Sequence, residues 1–105
     1  MHLTSYLQNG TLTIVLTGEI DHHCAKQYIQ SIASKIEAYK PQVCILDFQE
    51  VTFIDSSGIA VVINTLRNIT KIDGKLELIG LNPQPLKVFQ ASGIEKIVNI
   101  KEEAK

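Results

Sequence analysis

The chain has 105 residues, 45% of them hydrophobic, and a formal net charge of −1. This length predicts one domain with its own core, with residues 3–100 ordered and a frayed tail at 101–105. The near-neutral charge excludes a large positive field, and Lys and Arg are scattered, so no direct nucleic-acid partner is expected although a local basic patch is compatible with this charge. No apolar run is long enough to cross a bilayer and no signal peptide is apparent. With Cys24 and Cys44 outside any CxxC motif, we expect a cytoplasmic protein with no membrane partner.

The first predicted elements form a β-hairpin. Residues 3–7 and 11–16 are short β-type runs on either side of a Gln-Asn-Gly turn at 8–10. Asn-Gly between two such runs is a strong hairpin signal, because both residues tolerate a positive φ. The chain is therefore expected to begin with two antiparallel strands.

Helix and strand patterns alternate after the hairpin. The first expected helix begins at Asp21, its N-cap, and ends at Pro41, and a strand follows at 43–48. A second helix begins at residue 59 and ends before Asp73, and a strand follows at 76–81. A third helix has Asn82 as N-cap and Pro83 as its first residue and ends at Gly93, before a last strand at 97–100. The run VCILDF at 43–48 is typical of a central strand covered on both faces. This order predicts an α/β domain with a mixed, mostly parallel β-sheet, an N-terminal antiparallel hairpin at its edge and helices packed against it.

The stretch IDSSGIA at 54–60 lies between a strand and a helix, where parallel sheets commonly bind ligands and partners. Asp55 or Ser56 is the expected N-cap, with Ser56 the better candidate, and Ser57 then lies in the first turn. Unpaired amides and the helix dipole would favour an anion on Ser57 Oγ, and Gly58 would leave that hydroxyl accessible. Helix capping alone would explain Asp55 and one serine, but neither the second serine nor the glycine.

A nucleophilic serine is an alternative interpretation of the same stretch. The nucleophile elbow G-x-S-x-G also occurs on a strand–turn–helix, but the residues around Ser57 read D-S-S-G-I. A catalytic triad would need a histidine and a carboxylate, and the chain contains only His2, His22 and His23. A small serine hydrolase is therefore the alternative from another functional class, and an ester hydrolysis assay tests it.

Three segments resemble a known family in their order and spacing. LTGEIDHH at 16–23, VTFIDSSGIAVV at 51–62 and SGIEKI at 92–97 are similar to the STAS-domain anti-sigma factor antagonists of spore-forming Gram-positive bacteria. The DHH tripeptide is most similar to the sporulation branch. The resemblance covers nearly the whole chain and implies a single STAS domain. Cys24 departs from the pattern, which more often has a small polar residue there, and we interpret it as a small residue that fills a tight site.

The resemblance implies a binding protein that phosphorylation switches, not an enzyme. In that family the unphosphorylated antagonist binds an anti-sigma factor that is itself an ATP-using serine kinase, and a sigma factor is released. The kinase phosphorylates the second serine of the motif, here Ser57, which ends the interaction. A metal-dependent PP2C-type phosphatase restores the original form. ATP and metal belong to these partners, so the chain itself is expected to have no cofactor, no metal site and no catalytic residue.

The resemblance and the residues together indicate one set of partner-binding residues. These are Asp21, His22, His23, Asp55, Ser56, Ser57 and Gly58. Asp21 is expected to pair with a basic residue of the kinase, although capping would also explain it. The adjacent residues His22 and His23 cannot easily bind one metal ion, because neighbouring helical residues diverge by about 100°. Phosphoserine carries about −1.5 to −2 charges, and a helix start accommodates an anion, so we expect a local electrostatic switch with little change of fold.

Other functions remain open within the resemblance. The chain would also fit a regulator of another sigma factor, a regulator of a partner that is not a sigma factor, or a stand-alone STAS module of a lipid-transport complex. The lipid-transport module would not need a phosphorylatable serine. Incubation with the cognate kinase and ATP, followed by mapping of the phosphosite, distinguishes the lipid-transport module from the phosphorylated regulators.

Overall fold

The computed structural model describes residues 2–101 of the chain. Its elements in chain order are β1 (His2–Gln8), β2 (Thr11–Ile20), α1 (Ala25–Tyr39), β3 (Val43–Ile54), α2 (Ser56–Thr70), β4 (Lys75–Ile79), α3 (Pro83–Ser92), a short 3-10 helix (Ile94–Lys96) and β5 (Asn99–Lys101). The expected alternation of strands and helices is confirmed. Of the tail expected to fray, Lys101 instead ends β5 and lies 3.5 Å from the Glu77 carboxylate, while 102–105 fall outside the described residues.

The five strands form one mixed sheet in the order β1-β2-β3-β4-β5. β1 and β2 are antiparallel, and the other neighbouring strands are parallel. The hairpin turn has a positive φ at both Asn9 (53°) and Gly10 (81°), as the Asn-Gly signal predicts. The predicted mixed, mostly parallel sheet with an antiparallel edge is confirmed.

The helices cover one face of this sheet. Consecutive strands are neighbours, so right-handed crossovers place all their helices on the same side. Burial along β3 alternates accordingly: Cys44 and Leu46 are fully buried, whereas Val43 and Ile45 on the other face are partly exposed. The prediction that this strand is covered on both faces was wrong, because an apolar run does not reveal how many faces carry helices.

The core lies between the helices and the covered face of the sheet. Neighbouring strands contribute two rows of buried side chains in register, Leu12 with Cys44 and Leu76, and Ile14 with Leu46 and Leu78. Phe89 of α3 meets Phe48 of β3 edge to face, with ring centroids 5.5 Å apart. Both rings are fully buried, and their contact packs α3 against the middle of β3.

β2 and β3 extend beyond β4 at the carboxyl end of the parallel strands. β4 pairs with β3 only as far as Asp47, opposite Ile79. β3 continues to Ile54, which pairs with Ile20 at the end of β2. The sequence pattern ended β3 too early, because the projecting segment QEVTFI contains polar residues that interrupt the apolar run. These two strands therefore carry the candidate site beyond the rest of the sheet.

Candidate functional site

Two predicted site residues that are far apart in sequence follow neighbouring strand ends. Ile20 and Ile54 are paired, so Asp21 and Asp55 come directly after them at the same edge of the sheet. The Asp55 amide donates a hydrogen bond to the Ile20 carbonyl at 3.2 Å, which joins the two segments. Carboxyl ends of parallel strands are where α/β proteins commonly place binding sites.

Asp55 is the N-cap of α2. Its backbone is extended, with φ −107° and ψ −164°, and its Oδ1 accepts a hydrogen bond from the Ser57 amide at 2.7 Å. Its carbonyl accepts a second hydrogen bond, from the Gly58 amide at 2.9 Å. Ser56 is the first helical residue and is exposed. The expectation that Ser56 is the better cap was therefore wrong, because the carboxylate one residue earlier already reaches the amide.

Ser57 lies in the first turn of α2, as expected, and its side chain is partly exposed. Among residues 3–101, no protein group forms a hydrogen bond with the hydroxyl of Ser56 or Ser57. The Ser57 amide is engaged by the Asp55 carboxylate. An anion on Ser57 Oγ would therefore meet that negative charge as well as the positive end of the helix dipole.

Gly58 is buried against the last residue of β3. A Cβ built on it would lie 2.8 Å from the Cβ of Ile54 and 3.2 Å from its Cγ2. The first turn of α2 can approach β3 this closely only if residue 58 has no side chain. Its missing side chain thus serves the packing of α2 on β3, a role that the sequence did not indicate. The expected role of Gly58 in access to the Ser57 hydroxyl stays a prediction.

Asp21 stabilises a turn that precedes α1. Its Oδ1 accepts hydrogen bonds from the amides of His23 at 2.9 Å and Cys24 at 3.3 Å. α1 begins at Ala25, with Cys24 in the N-cap position and no side-chain cap bond. The prediction that Asp21 is the helix N-cap was therefore wrong, because its carboxylate bonds to amides of the turn before the helix.

The carboxyl group of Asp21 is held in its ionised form. Partial desolvation raises its pKa, but the hydrogen bonds from the two amides and the charge of His23 outweigh this effect, so the pKa lies below its ordinary value. His22 and His23 are exposed on the same turn, with ring centroids 4.1 Å apart at an interplanar angle of 62°. The turn thus presents a carboxylate and two imidazoles side by side.

Two amide side chains that the sequence analysis did not assign to the site hold the projecting end of β3. Nδ2 of Asn82 donates to the carbonyls of Val51 at 2.8 Å and Gln49 at 3.2 Å. Oε1 of Gln84 accepts from the Ile54 amide at 2.9 Å, and its Nε2 donates to the Ile54 carbonyl at 3.0 Å. Asn82 is the N-cap of α3 by position, as predicted, but its side chain makes no cap hydrogen bond.

The sequence around Asn82 and Gln84 indicates a helix start but does not indicate hydrogen bonds from these side chains to β3. Asn-Pro at a helix start is explained by the N-cap and first-turn preferences alone. Only the fact that β3 extends beyond β4 would indicate that backbone groups on β3 need other partners there. That extension was itself not predicted.

Catalytic and metal-binding arrangements can be tested within residues 3–101, whose side chains the structure describes. In this part of the chain no hydrogen bond joins a histidine to Ser57, as a serine nucleophile with its base would require. No group of three or more histidine, cysteine, aspartate or glutamate side chains in the same range is placed to hold a metal ion. Among the described helices, none is both long and apolar enough to span a membrane.

Comparison with known proteins assigns the family. The chain matches the STAS domain over residues 2–105. The anti-sigma F factor antagonist of Lysinibacillus sphaericus is 33% identical to it over 84 residues, which are 80% of this chain and 72% of that protein.

Two solved structures of SpoIIAA share the fold. The unphosphorylated anti-sigma factor antagonist SpoIIAA superposes with a TM-score of 0.85 at 28% identity, covering 99% of this chain and 90% of that chain. The phosphorylated form of the Bacillus cell fate determinant SpoIIAA superposes with a TM-score of 0.76 at 28% identity, covering 99% and 93%. From its sequence and its fold, the chain belongs to the STAS domain family and, within it, to the anti-sigma factor antagonists.

Proposed function

We propose that this chain binds an anti-sigma factor that is a serine kinase, and that phosphorylation of Ser57 ends the interaction. The observation that carries the proposal is the placement of Ser57. Ser57 is partly exposed in the first turn of α2, next to two chain segments that carry carboxylates. The SpoIIAA structures, described in a phosphorylated and an unphosphorylated form, support a switch of this kind.

The phosphoryl transfer uses ATP bound by the kinase. Oγ of Ser57 attacks the γ-phosphorus of ATP, the bond from that phosphorus to the β–γ bridging oxygen breaks, and ADP leaves. The hydroxyl proton passes to a base of the kinase or to water. A PP2C-type phosphatase reverses the modification when water attacks the phosphorus, the bond to Oγ breaks and inorganic phosphate leaves. The chain itself supplies the acceptor hydroxyl and no catalytic group, and it acts in the cytoplasm beside its partners.

The switch works through charge at the docking surface. Phosphorylation adds about −1.5 to −2 charges beside Asp55, and Asp21 lies on the neighbouring segment. A kinase surface that accommodates a neutral hydroxyl must then desolvate an anion. A penalty of roughly 2–4 kcal/mol would lower the affinity by about 30- to 1000-fold. The fold should remain, because the helix dipole partly offsets the repulsion from Asp55.

Phosphosite mapping tests the acceptor. The wild-type chain, Ser57→Ala and Ser56→Ala are incubated with the cognate kinase and ATP, and the products are mapped by mass spectrometry. Ser57→Ala should take up no phosphate. Ser56→Ala is the matched control, because Ser56 is adjacent, exposed and not the cap, and it should be labelled fully. Stoichiometric phosphate on Ser57→Ala would refute the assignment.

Binding measurements test Asp21. Asp21→Asn keeps an oxygen that can accept from the His23 and Cys24 amides but removes the charge. Loss of one member of a desolvated charge pair typically costs about 2–5 kcal/mol, so the complex should weaken while the Tm stays nearly unchanged. Asp73→Asn is the control, since Asp73 is exposed on the turn after α2 and its φ of 61° suits asparagine. Full-strength binding by Asp21→Asn would leave Asp21 with a structural role alone.

A further inference from the structure

The peptide group that joins Ile54 to Asp55 is held at both ends. Its carbonyl accepts a hydrogen bond from Nε2 of Gln84 at 3.0 Å, and its amide donates to the Ile20 carbonyl at 3.2 Å. Oε1 of Gln84 also accepts from the Ile54 amide at 2.9 Å. One side chain thus makes the two hydrogen bonds that a residue on a neighbouring strand would make. The orientation of this peptide group depends on Gln84 as much as on β2.

The geometry points to Gln84 as a positioning residue for the phosphorylation of Ser57. Asp55 directly follows the held peptide group, and its carboxylate holds the Ser57 amide at 2.7 Å. A rotation of the peptide group therefore moves the Asp55 cap and, with it, the first turn of α2. Gln84 acts through Ile54 and Asp55, not by touching the serine. This inference rests on the proposed function, because it concerns the same acceptor hydroxyl.

The helix that carries Gln84, α3, is fixed against β3 at several points. Asn82 ties the start of the helix to β3 through the Val51 carbonyl at 2.8 Å, and Phe89 packs on the same strand from the covered face. Prolines at 83 and 85 flank Gln84 and restrict the backbone on both sides. Because α3 is fixed at these points, the side-chain amide of Gln84 can hold the Ile54–Asp55 peptide group in one orientation.

Loss of the Gln84 amide should impair phosphoryl transfer to Ser57 more than it impairs binding of the kinase. The acceptor oxygen must lie in line with the bond that breaks, and a misplacement of about 1 Å can lower a rate by about 100-fold. Gln84 hydrogen-bonds to Ile54 and not to the Asp21 turn, so the part of the docking surface on that turn should keep its geometry. Loss of the Gln84 amide should therefore lower kcat more than it raises KM. A change in global stability alone would leave kcat of the folded protein unaltered.

The experiment compares Gln84→Met with Gln90→Met. Methionine has a similar length but makes neither hydrogen bond. Gln90 is an exposed residue on the same helix, and its side chain makes no hydrogen bond with residues 3–101. Amide hydrogen exchange is measured by NMR on the free proteins. Phosphorylation kinetics are measured with ATP and the kinase that labels the wild-type chain. Gln84→Asn, which keeps an amide on a shorter side chain, is the second variant.

The expected results are specific to Gln84. In Gln84→Met, exchange of the Ile54 amide should accelerate about tenfold relative to the Leu78 amide in β4, and kcat should fall about tenfold with KM within about twofold. Gln84→Asn should have an intermediate kcat, and Gln90→Met should match the wild type. Wild-type kcat in Gln84→Met would overturn the positioning role while leaving the proposed function intact. Failure of the kinase to label Ser57 in the wild type would instead refute the proposed function.

Discussion

Replacement of Gly58 by alanine tests whether the close contact between α2 and β3 is required. Alanine is the better helix former, by up to about 1 kcal/mol in a helix interior, so helix propensity alone predicts a more stable protein. The new methyl group would lie 2.8 Å from the Cβ of Ile54 and 3.1 Å from its Cδ1. The sign of the effect therefore decides between local propensity and packing.

In Gly58→Ala the cost of crowding Ile54 should exceed the gain in helix propensity. Ile54 is fully buried and β-branched, so its side chain has little freedom to move away, and its backbone is hydrogen-bonded to Gln84. Adding a methylene to a tight core typically costs about 1–3 kcal/mol. After the gain in propensity, the net loss should be about 1 kcal/mol, which corresponds to a Tm about 4–8 °C lower for a domain of this size.

Urea and thermal denaturation followed by circular dichroism measure this loss. Ala60→Gly is the control, because Ala60 is exposed on the same helix and reports the propensity difference alone, about 1 kcal/mol. Gly58→Ala should also destabilise an Ile54→Ala background, since the nearest atom, Cβ, remains when Ile54 is shortened. A Tm for Gly58→Ala above that of the wild type would refute the packing argument.

Two further predictions concern the cap and the thiols. Asp55→Ala removes the acceptor of the Ser57 amide and should lower the free energy of unfolding, measured in urea, by about 1 kcal/mol. A loss no larger than that of Ser56→Ala would mean that the Asp55 cap does not stabilise the protein. Burial raises the pKa of Cys44 to about 12, so at pH 8 an aromatic disulfide reagent should label only Cys24 in the native protein and both thiols in urea. A second fast-reacting thiol in the native protein, or a fast thiol that persists in Cys24→Ser, would contradict this assignment.

Local patterns were sufficient where neighbouring residues decide the structure. The Asn-Gly turn needs only two residues with positive φ, and the apolar stripes of α1 and α2 need only helical spacing. The placement of Ser57 in a first turn follows in the same way from its distance to the helix. The family, too, was identifiable from three short segments.

Local patterns failed where partners come from distant parts of the chain. Asp55 and Ser56 are both cap candidates of α2 in the sequence, with Ser56 preferred, whereas the structure has Asp55 as the N-cap. The backbone conformation at the end of β3 decides between them, and the local sequence does not reveal it. The start of α1 was placed one turn early, because the carboxylate of Asp21 bonds to the amides of a turn and not to the helix itself. Propensity does not distinguish these possibilities, since each residue is a good cap in isolation.

The sequence by itself determined the order of strands and helices, the hairpin and the family, because each depends on neighbouring residues or on short motifs. The choice of Ser57 as phosphoryl acceptor also comes from a short motif and stays a prediction. Only the tertiary structure decided that β3 extends past β4, that Gly58 faces Ile54, and that Gln84 takes the place of a strand beside the site. Each of these depends on strand register and helix placement, which bring together residues about 30 positions apart in the chain for the Gln84–Ile54 contact. Backbone groups left without a neighbouring strand must find another partner, and the sequence does not show which strand ends first.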